Sequence, residues 1–390
     1  MKSGPWYRLT ALAGVAGCAL AVVSGAASLG TAHRVLAAVA LPPLLALLAG
    51  AWLEHPRLVP ASAAAVVSFG AAALIPTRPL HVAFAAIALA AACLTAALAH
   101  RGAPALRASA RDYLTLTKPR IMSLLLLTGF CGMVVGARGL PPVSTAAAAM
   151  LGLALACGGA SALNHVLDRD IDRLMGARTR ARPLAAERMP PSHALEFGLA
   201  LSALSFVLLA SAVNVLTAAL ALVGNLFYVL VYTRWLKRTT PQNIVIGGAA
   251  GAVPPLVGWA AATGNVALPA LVLFAIVFIW TPPHFWALAL LIKDDYAAAR
   301  IPMLPVVRGE RETTRQIVLY SFALVAVTVV PFLWLGWGYL AAAAALGAWF
   351  VKLAWELRRE TTPRRAGALF HYSLLYLALL FAAMAVDAAL

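Results

Sequence analysis

Apolar stretches of about 18–25 residues, each long enough to cross roughly 30 Å of hydrocarbon as a helix, recur from one end of this 390-residue chain to the other. Inside a bilayer every backbone N–H and C=O must be satisfied within the segment, so such stretches fold as helices and strands are not needed. The expected fold is therefore all-α, a polytopic transmembrane helical bundle. Thirteen stretches are counted, four between residues 9 and 99 and nine between 121 and 388. Composition agrees: 63% of residues are hydrophobic and 11% charged, too few polar groups for a water-facing surface of this size. The first stretch is too long, and too poorly matched to a cleavage site, for a removable signal peptide, and is read as a retained helix.

The formal charge of +16 raises the question of a nucleic-acid partner, and its distribution argues against one. If the N-terminus is cytoplasmic, all but three of the 30 Lys and Arg, the exceptions being Arg34, Arg78 and Arg138, fall on the cytoplasmic side. That is the bias the positive-inside rule demands. The basic residues are dispersed over seven loops and form no single patch, so the partner they imply is membrane lipid. Cys18, Cys93, Cys131 and Cys157 lie singly in separate segments and read as small buried side chains.

The largest composition shift is the Ala/Arg/Gly-rich stretch at 100–120. It divides a four-helix membrane extension, residues 1–105, from a nine-helix domain, residues 106–390. Two polar stretches interrupt the larger part at 164–193 and 292–316. They follow its second and sixth helices, a placement that hints at a duplicated four-helix unit.

The first polar stretch carries the chemistry. Asn164, Asp168 and Asp172 stand at i, i+4 and i+8, one face of a continuing helix. Two carboxylates and an amide oxygen so placed suit Mg²⁺, which takes few protein ligands and completes its shell with water and phosphate. A solvated acidic turn balanced by Arg169 and Arg173 is the simpler reading of a lone DxxxD. Position at a membrane-helix end and a second acidic cluster, Lys293-Asp294-Asp295-Tyr296, favour the metal site. Adjacent aspartates are about 100° apart on a helix, so Asp294 and Asp295 should contribute unequally. Lys118, Arg120, Arg178, Arg182, Lys237 and Arg238 share the cytoplasmic face. Each alone reads as a positive-inside anchor, but together they read as cations for a leaving diphosphate.

Longer motifs then become recognisable. The NxxxDxxxD pattern, Leu116-Thr117-Lys118-Pro119-Arg120, Tyr232-Thr233 with the run from Lys237 to Gly248, and Trp280-Thr281-Pro282-Pro283-His284-Phe285-Trp286-Ala287-Leu288 resemble the intramembrane UbiA-type prenyltransferases. Within them they resemble the protoheme farnesyltransferase (heme O synthase) family, over roughly residues 110–390. The resemblance implies nine helices around a central cavity, in a bacterial plasma (inner) membrane with the aspartate motifs cytoplasmic. It also implies Mg²⁺, farnesyl diphosphate and heme B, with Asn164, Asp168, Asp172, Asp294 and Asp295 as metal–diphosphate residues and Lys118, Arg120, Lys237 and Arg238 as basic positions near them. Three departures stand out. The residues four after Asp294 and Asp295 are Ala298 and Ala299, Arg300 stands where the family commonly has Gly, and the Met175-to-Arg178 spacing is one residue long.

The implied reaction is attack of a heme vinyl group on farnesyl C1 and capture of the resulting cation by water, in a cavity dry above the phosphates. Trp259, Trp280, Phe285 and Trp286 are candidate walls. His284, an ionisable residue inside a helix, is a candidate substrate-binding group, with a purely structural histidine as the alternative. Two other functions are weighed. A quinone-precursor prenyltransferase would keep the aspartates without the WTPPHFW and KRTTPQN blocks, and a secondary transporter would bind at the midplane. In the first hundred residues His33 and His81 begin parallel helices at the outer side, beside Arg34 and Arg78. That segment resembles half of heme A synthase, so His33 and His81 are candidate axial ligands of a bound heme, and heme A synthase is a candidate partner. Two interfacial histidines satisfied by water or headgroups are the alternative.

Overall fold

The computed structural model describes residues 108–390. The expected four-helix extension, with His33 and His81, lies outside the described residues. Among these residues, nine helices are long and apolar enough to span a membrane, as the hydropathy pattern predicts for this part of the chain.

A short surface helix, α1 (Ala110–Thr117), precedes the first two spans, α2 (Pro119–Ala137) and α3 (Val143–Leu167). The first polar stretch folds into two single-turn helices, α4 (Arg169–Asp172) and α5 (Ala177–Arg180), and is followed by α6 (Pro191–Ala212), α7 (Val215–Thr239), α8 (Asn243–Thr263) and α9 (Leu268–Leu291). The second polar stretch forms α10 (Lys293–Ala298) and α11 (Leu304–Val307), before α12 (Gly309–Leu333), α13 (Trp337–Arg359) and α14 (Pro363–Ala389). Helix α3 packs on α6, α8 on both α2 and α9, and the last helix α14 returns against α2, closing a ring.

Close approach of α2 and α8 depends on missing side chains. A Cβ on Gly258 would collide with the backbone carbonyl of Gly129, and one on Gly132 would collide with that of Pro255. In lipid, where apolar side chains gain little by leaving solvent, such small-residue contacts are what bring helices together. The large buried cluster, including Trp286, Tyr339, Phe350 and Tyr376, fills the space between α8, α9, α12, α13 and α14. With that half packed solid, the open volume falls between α2, α3, α7, α8 and α9.

Candidate active site

Helix α3 delivers the first motif. Its backbone stays helical through Asp168, whose N–H donates to the Asn164 carbonyl at 2.9 Å while its own carbonyl accepts from Asp172 N–H at 2.8 Å. Asn164, Asp168 and Asp172 thus keep the i, i+4, i+8 succession and are 3%, 0% and 1% exposed. Carboxylates buried this far need partners, and cations supply them. Lys237 Nζ donates to Asp168 Oδ2 at 2.6 Å, and Arg182 Nη1 to both oxygens of Asp172 at 2.7 and 2.9 Å. Lys118 Nζ reaches Asn164 Oδ1 at 2.8 Å, while Asn164 Nδ2 donates to Asp168 Oδ2 at 2.8 Å and to Thr233 Oγ1 at 3.1 Å. Burial and the nearby Arg182 bring the Lys118 ammonium down to about 7, and burial pushes the Asp172 carboxyl up against the pull of Arg182.

Lys118 arrives there by a costly turn. It joins α1 to α2 in the left-handed region at φ 51°, a conformation that costs roughly 1–2 kcal/mol for a side-chain-bearing residue. Helix α1 is held in register to support it. Ser109 and Asp112 close a capping box, Arg188 Nε pairs with Asp112 at 3.0 Å, and Ser161 Oγ ties the Leu116 carbonyl to α3 at 2.6 Å.

Lys237 is delivered by an unusual winding. From Phe227 to Leu236, α7 is a π-helix, whose i→i+5 bonding takes more than four residues per turn instead of 3.6. In an α-helix Tyr228 and Lys237 would point to opposite sides. The wider turn brings Tyr228, Tyr232 and Lys237 to the same side, and all three line the cavity.

The remaining sequence candidates divide. Arg238 turns to Asp170, donating to its two oxygens at 2.7 Å each, and to the Leu167 carbonyl at 2.6 Å; these bonds hold the Asp170 carboxyl at about 2. Arg120 and Arg178 are exposed. Asp295 packs against Gly176 of the first loop, where any Cβ would meet its carboxylate, and Asp294 is exposed; neither lines the cavity. The two differ in burial, Asp295 being half-buried. His284 is buried between α9 and α14, its Nδ1 2.6 Å from Ser373 Oγ and its ring stacked on Trp280 and Phe370, and it does not line the cavity. Of the four aromatic wall candidates only Phe285 lines it. Tyr228, Tyr232 and Tyr296 line it too, although sequence reasoning assigned them no role. Tyr232 opens one of the motifs that carry the resemblance and Tyr296 closes the second acidic cluster, whereas Tyr228 lies in no quoted motif.

Below the charged cluster lies a cavity of about 370 Å³, walled by residues such as Leu125, Leu153, Ala221, Val253 and Phe285. Gly251 faces it with nothing within 4 Å of where a Cβ would stand. Asp168 Oδ1 is buried with no hydrogen-bond partner among the described residues, an oxygen suited to a hard cation. No three His, Cys, Asp or Glu side chains among the described residues form a ready-made metal cage. A Mg²⁺ that draws most of its ligands from water and phosphate fits such a donor set.

Comparison with known proteins places these features. A model of the UbiA prenyltransferase family matches residues 125–380. A protoheme IX farnesyltransferase from Symbiobacterium thermophilum is 54% identical over 282 residues, which are 71% of this chain and 94% of that protein. A Roseiflexus protein of the same name is 50% identical over 328 residues, 82% of this chain, and the chain spans 61% of that relative's length. A solved UbiA homolog from Archaeoglobus fulgidus bound to DMAPP and Mg²⁺ shares the fold at a TM-score of 0.51 and 18% identity, covering 70% of this chain and 99% of that one.

Proposed function

The chain belongs to the UbiA prenyltransferase family, and on that premise we propose that it transfers the farnesyl group of farnesyl diphosphate to a vinyl group of heme B, giving heme O and diphosphate. The observation that carries this reading is the cluster of Asn164, Asp168 and Asp172 with Lys118, Lys237 and Arg182 at the mouth of an apolar cavity. Relatives at about half identity that bear the name protoheme IX farnesyltransferase supply the acceptor.

Mg²⁺ held by Asn164, Asp168 and Asp172 would supply positive charge against the diphosphate oxygens. Lys118, Lys237 and Arg182, now engaged by the acidic motif, turn donors to the phosphates as charge builds on the leaving group. Asp294 and Asp295, on the second loop outside the cavity lining, would act on the same diphosphate through a second Mg²⁺, and Arg120, Arg178 and Arg238 raise the positive potential around it. The apolar walls keep bulk water from the allylic cation, and the face of Phe285 stabilises it. These loops lie on the cytoplasmic side of a bacterial inner membrane, a reading that the Lys/Arg bias supports. For residues 1–105, which lie outside the described residues, the sequence resemblance supports a role in holding heme through His33 and His81; unchanged heme uptake by the full chain after His33→Ala and His81→Ala would refute that role.

The test is a competition. Purified full-length protein is given farnesyl diphosphate, Mg²⁺, heme B and a quinone precursor, and the prenylated product is identified by mass. Farnesyl-hydroxyethyl heme is expected. Prenylation of the quinone precursor with heme B untouched would overturn the assignment.

A further inference from the structure

The hydroxyl groups around the cavity are not equivalent. Thr117 and Thr281 are committed to backbone carbonyls one turn away, Leu114 and Val277, and Ser161 to the Leu116 carbonyl. Asn225 gives its amide hydrogens to the Ala156 carbonyl and Ser202 Oγ. Tyr228, Tyr232 and Tyr296 also line the cavity, but their hydroxyls have no hydrogen-bond partner among the described residues. The π-helix places the first two side by side, ring centroids 5.5 Å apart and 26° from parallel. Tyr296 comes from α10, on the second polar stretch. All three lie within electrostatic reach of Asp168 and Arg182, and Tyr232 within reach of both other tyrosines. Three uncommitted phenols lining one cavity beside a diphosphate site can make the two to four polar contacts an ordered water needs.

We propose that the hydroxyls of Tyr228, Tyr232 and Tyr296 hold the water molecule that ends the reaction, making these three positioning residues for hydration. The inference rests on the reading above that a heme vinyl group is the acceptor. The vinyl π pair forms the C–C bond to farnesyl C1 as the C–O bond to diphosphate breaks. The cation left on the vinyl carbon next to the porphyrin takes a lone pair from the held water, and the water proton passes to a diphosphate oxygen. Without that water the same cation loses a proton from the neighbouring CH₂, and the product is an alkene lacking the elements of water.

The experiment is product partition in the full-length protein with heme B, farnesyl diphosphate and Mg²⁺ in H₂¹⁸O, comparing wild type with Tyr228→Phe, Tyr232→Phe and Tyr296→Phe. Phenylalanine keeps each ring and its packing, including the Tyr232 ring against Gly247, and removes only the hydroxyl. Total farnesylated heme should stay within a few-fold of wild type. The ratio of ¹⁸O-hydroxylated to alkene product should fall about tenfold for each hydroxyl lost, the effect of removing one hydrogen bond to a charged or polarised partner. An unchanged ratio in all three variants overturns the proposal. So does loss of all farnesylation in a variant that elutes and melts like wild type, because the hydroxyl would then act before the C–C bond forms. If wild type itself alkylates no heme, the failure lies in the assigned acceptor.

Discussion

Asp168 and Asp172 share a helical face but not a state. Arg182 occupies both oxygens of Asp172, whereas Asp168 keeps Oδ1 buried and unpartnered among the described residues. Asp168→Asn, which removes that charge and leaves Lys237 facing an amide, should lower turnover about a thousandfold. Asp172→Asn should also cripple turnover, by releasing Arg182. Asp170→Asn should cost far less, because Asp170 pairs with Arg238 at the rim. Steady-state farnesylation by the three variants checks the order, and near-normal turnover of Asp168→Asn would remove it from the catalytic role. Arg300 supports a prediction of opposite sign. It adopts φ 54°, and its N–H and that of Ile301 close the end of α10 on the Ala297 and Tyr296 carbonyls. Glycine is at home in that conformation, so Arg300→Gly should stabilise the folded protein by about 1 kcal/mol, read as a higher melting temperature in detergent.

Among the elements, the outcome separates what local pattern encodes from what packing decides. The nine described spans were legible because hydropathy sets them directly. Several ends were not. The pattern stops the fourth span near residue 232, yet α7 runs to Thr239, since the π winding continues the helix to Lys237 and Arg238, which pair with Asp168 and Asp170. Helix α12 begins at Gly309, about two turns before its apolar run, on the polar residues of the loop. The i, i+4, i+8 motif was legible because its geometry is local. Arg238 choosing Asp170, and His284 finding Ser373 89 residues away, are tertiary outcomes that no spacing reveals. The contact between α2 and α8 is of the same kind, and it yields a test. Gly258→Ala would drive a Cβ into the Gly129 carbonyl, so it should destabilise the bundle by about 3 kcal/mol. A melting temperature matching wild type would contradict the close helix approach.

Among the described residues, the number of spans between two loops fixes whether they share a side. One span separates Arg138 from Arg178 and four separate Arg178 from Arg308, so cysteines substituted at Arg178 and Arg308 should label from the cytoplasm and one at Arg138 from outside. Labelling of Arg138 and Arg178 positions from the same side would break that topology. The same arrangement gathers every group in the charged cluster at one membrane face, over the mouth of the cavity, and the central claim is that this cluster binds a prenyl diphosphate through Mg²⁺. Binding of a non-reactive farnesyl thiodiphosphate to the full-length protein, measured with and without Mg²⁺ in wild type and Asp168→Asn, tests it most directly. Tight, Mg²⁺-dependent binding in wild type that is lost in the variant is expected. Equal binding in both proteins, indifferent to the metal, would contradict it.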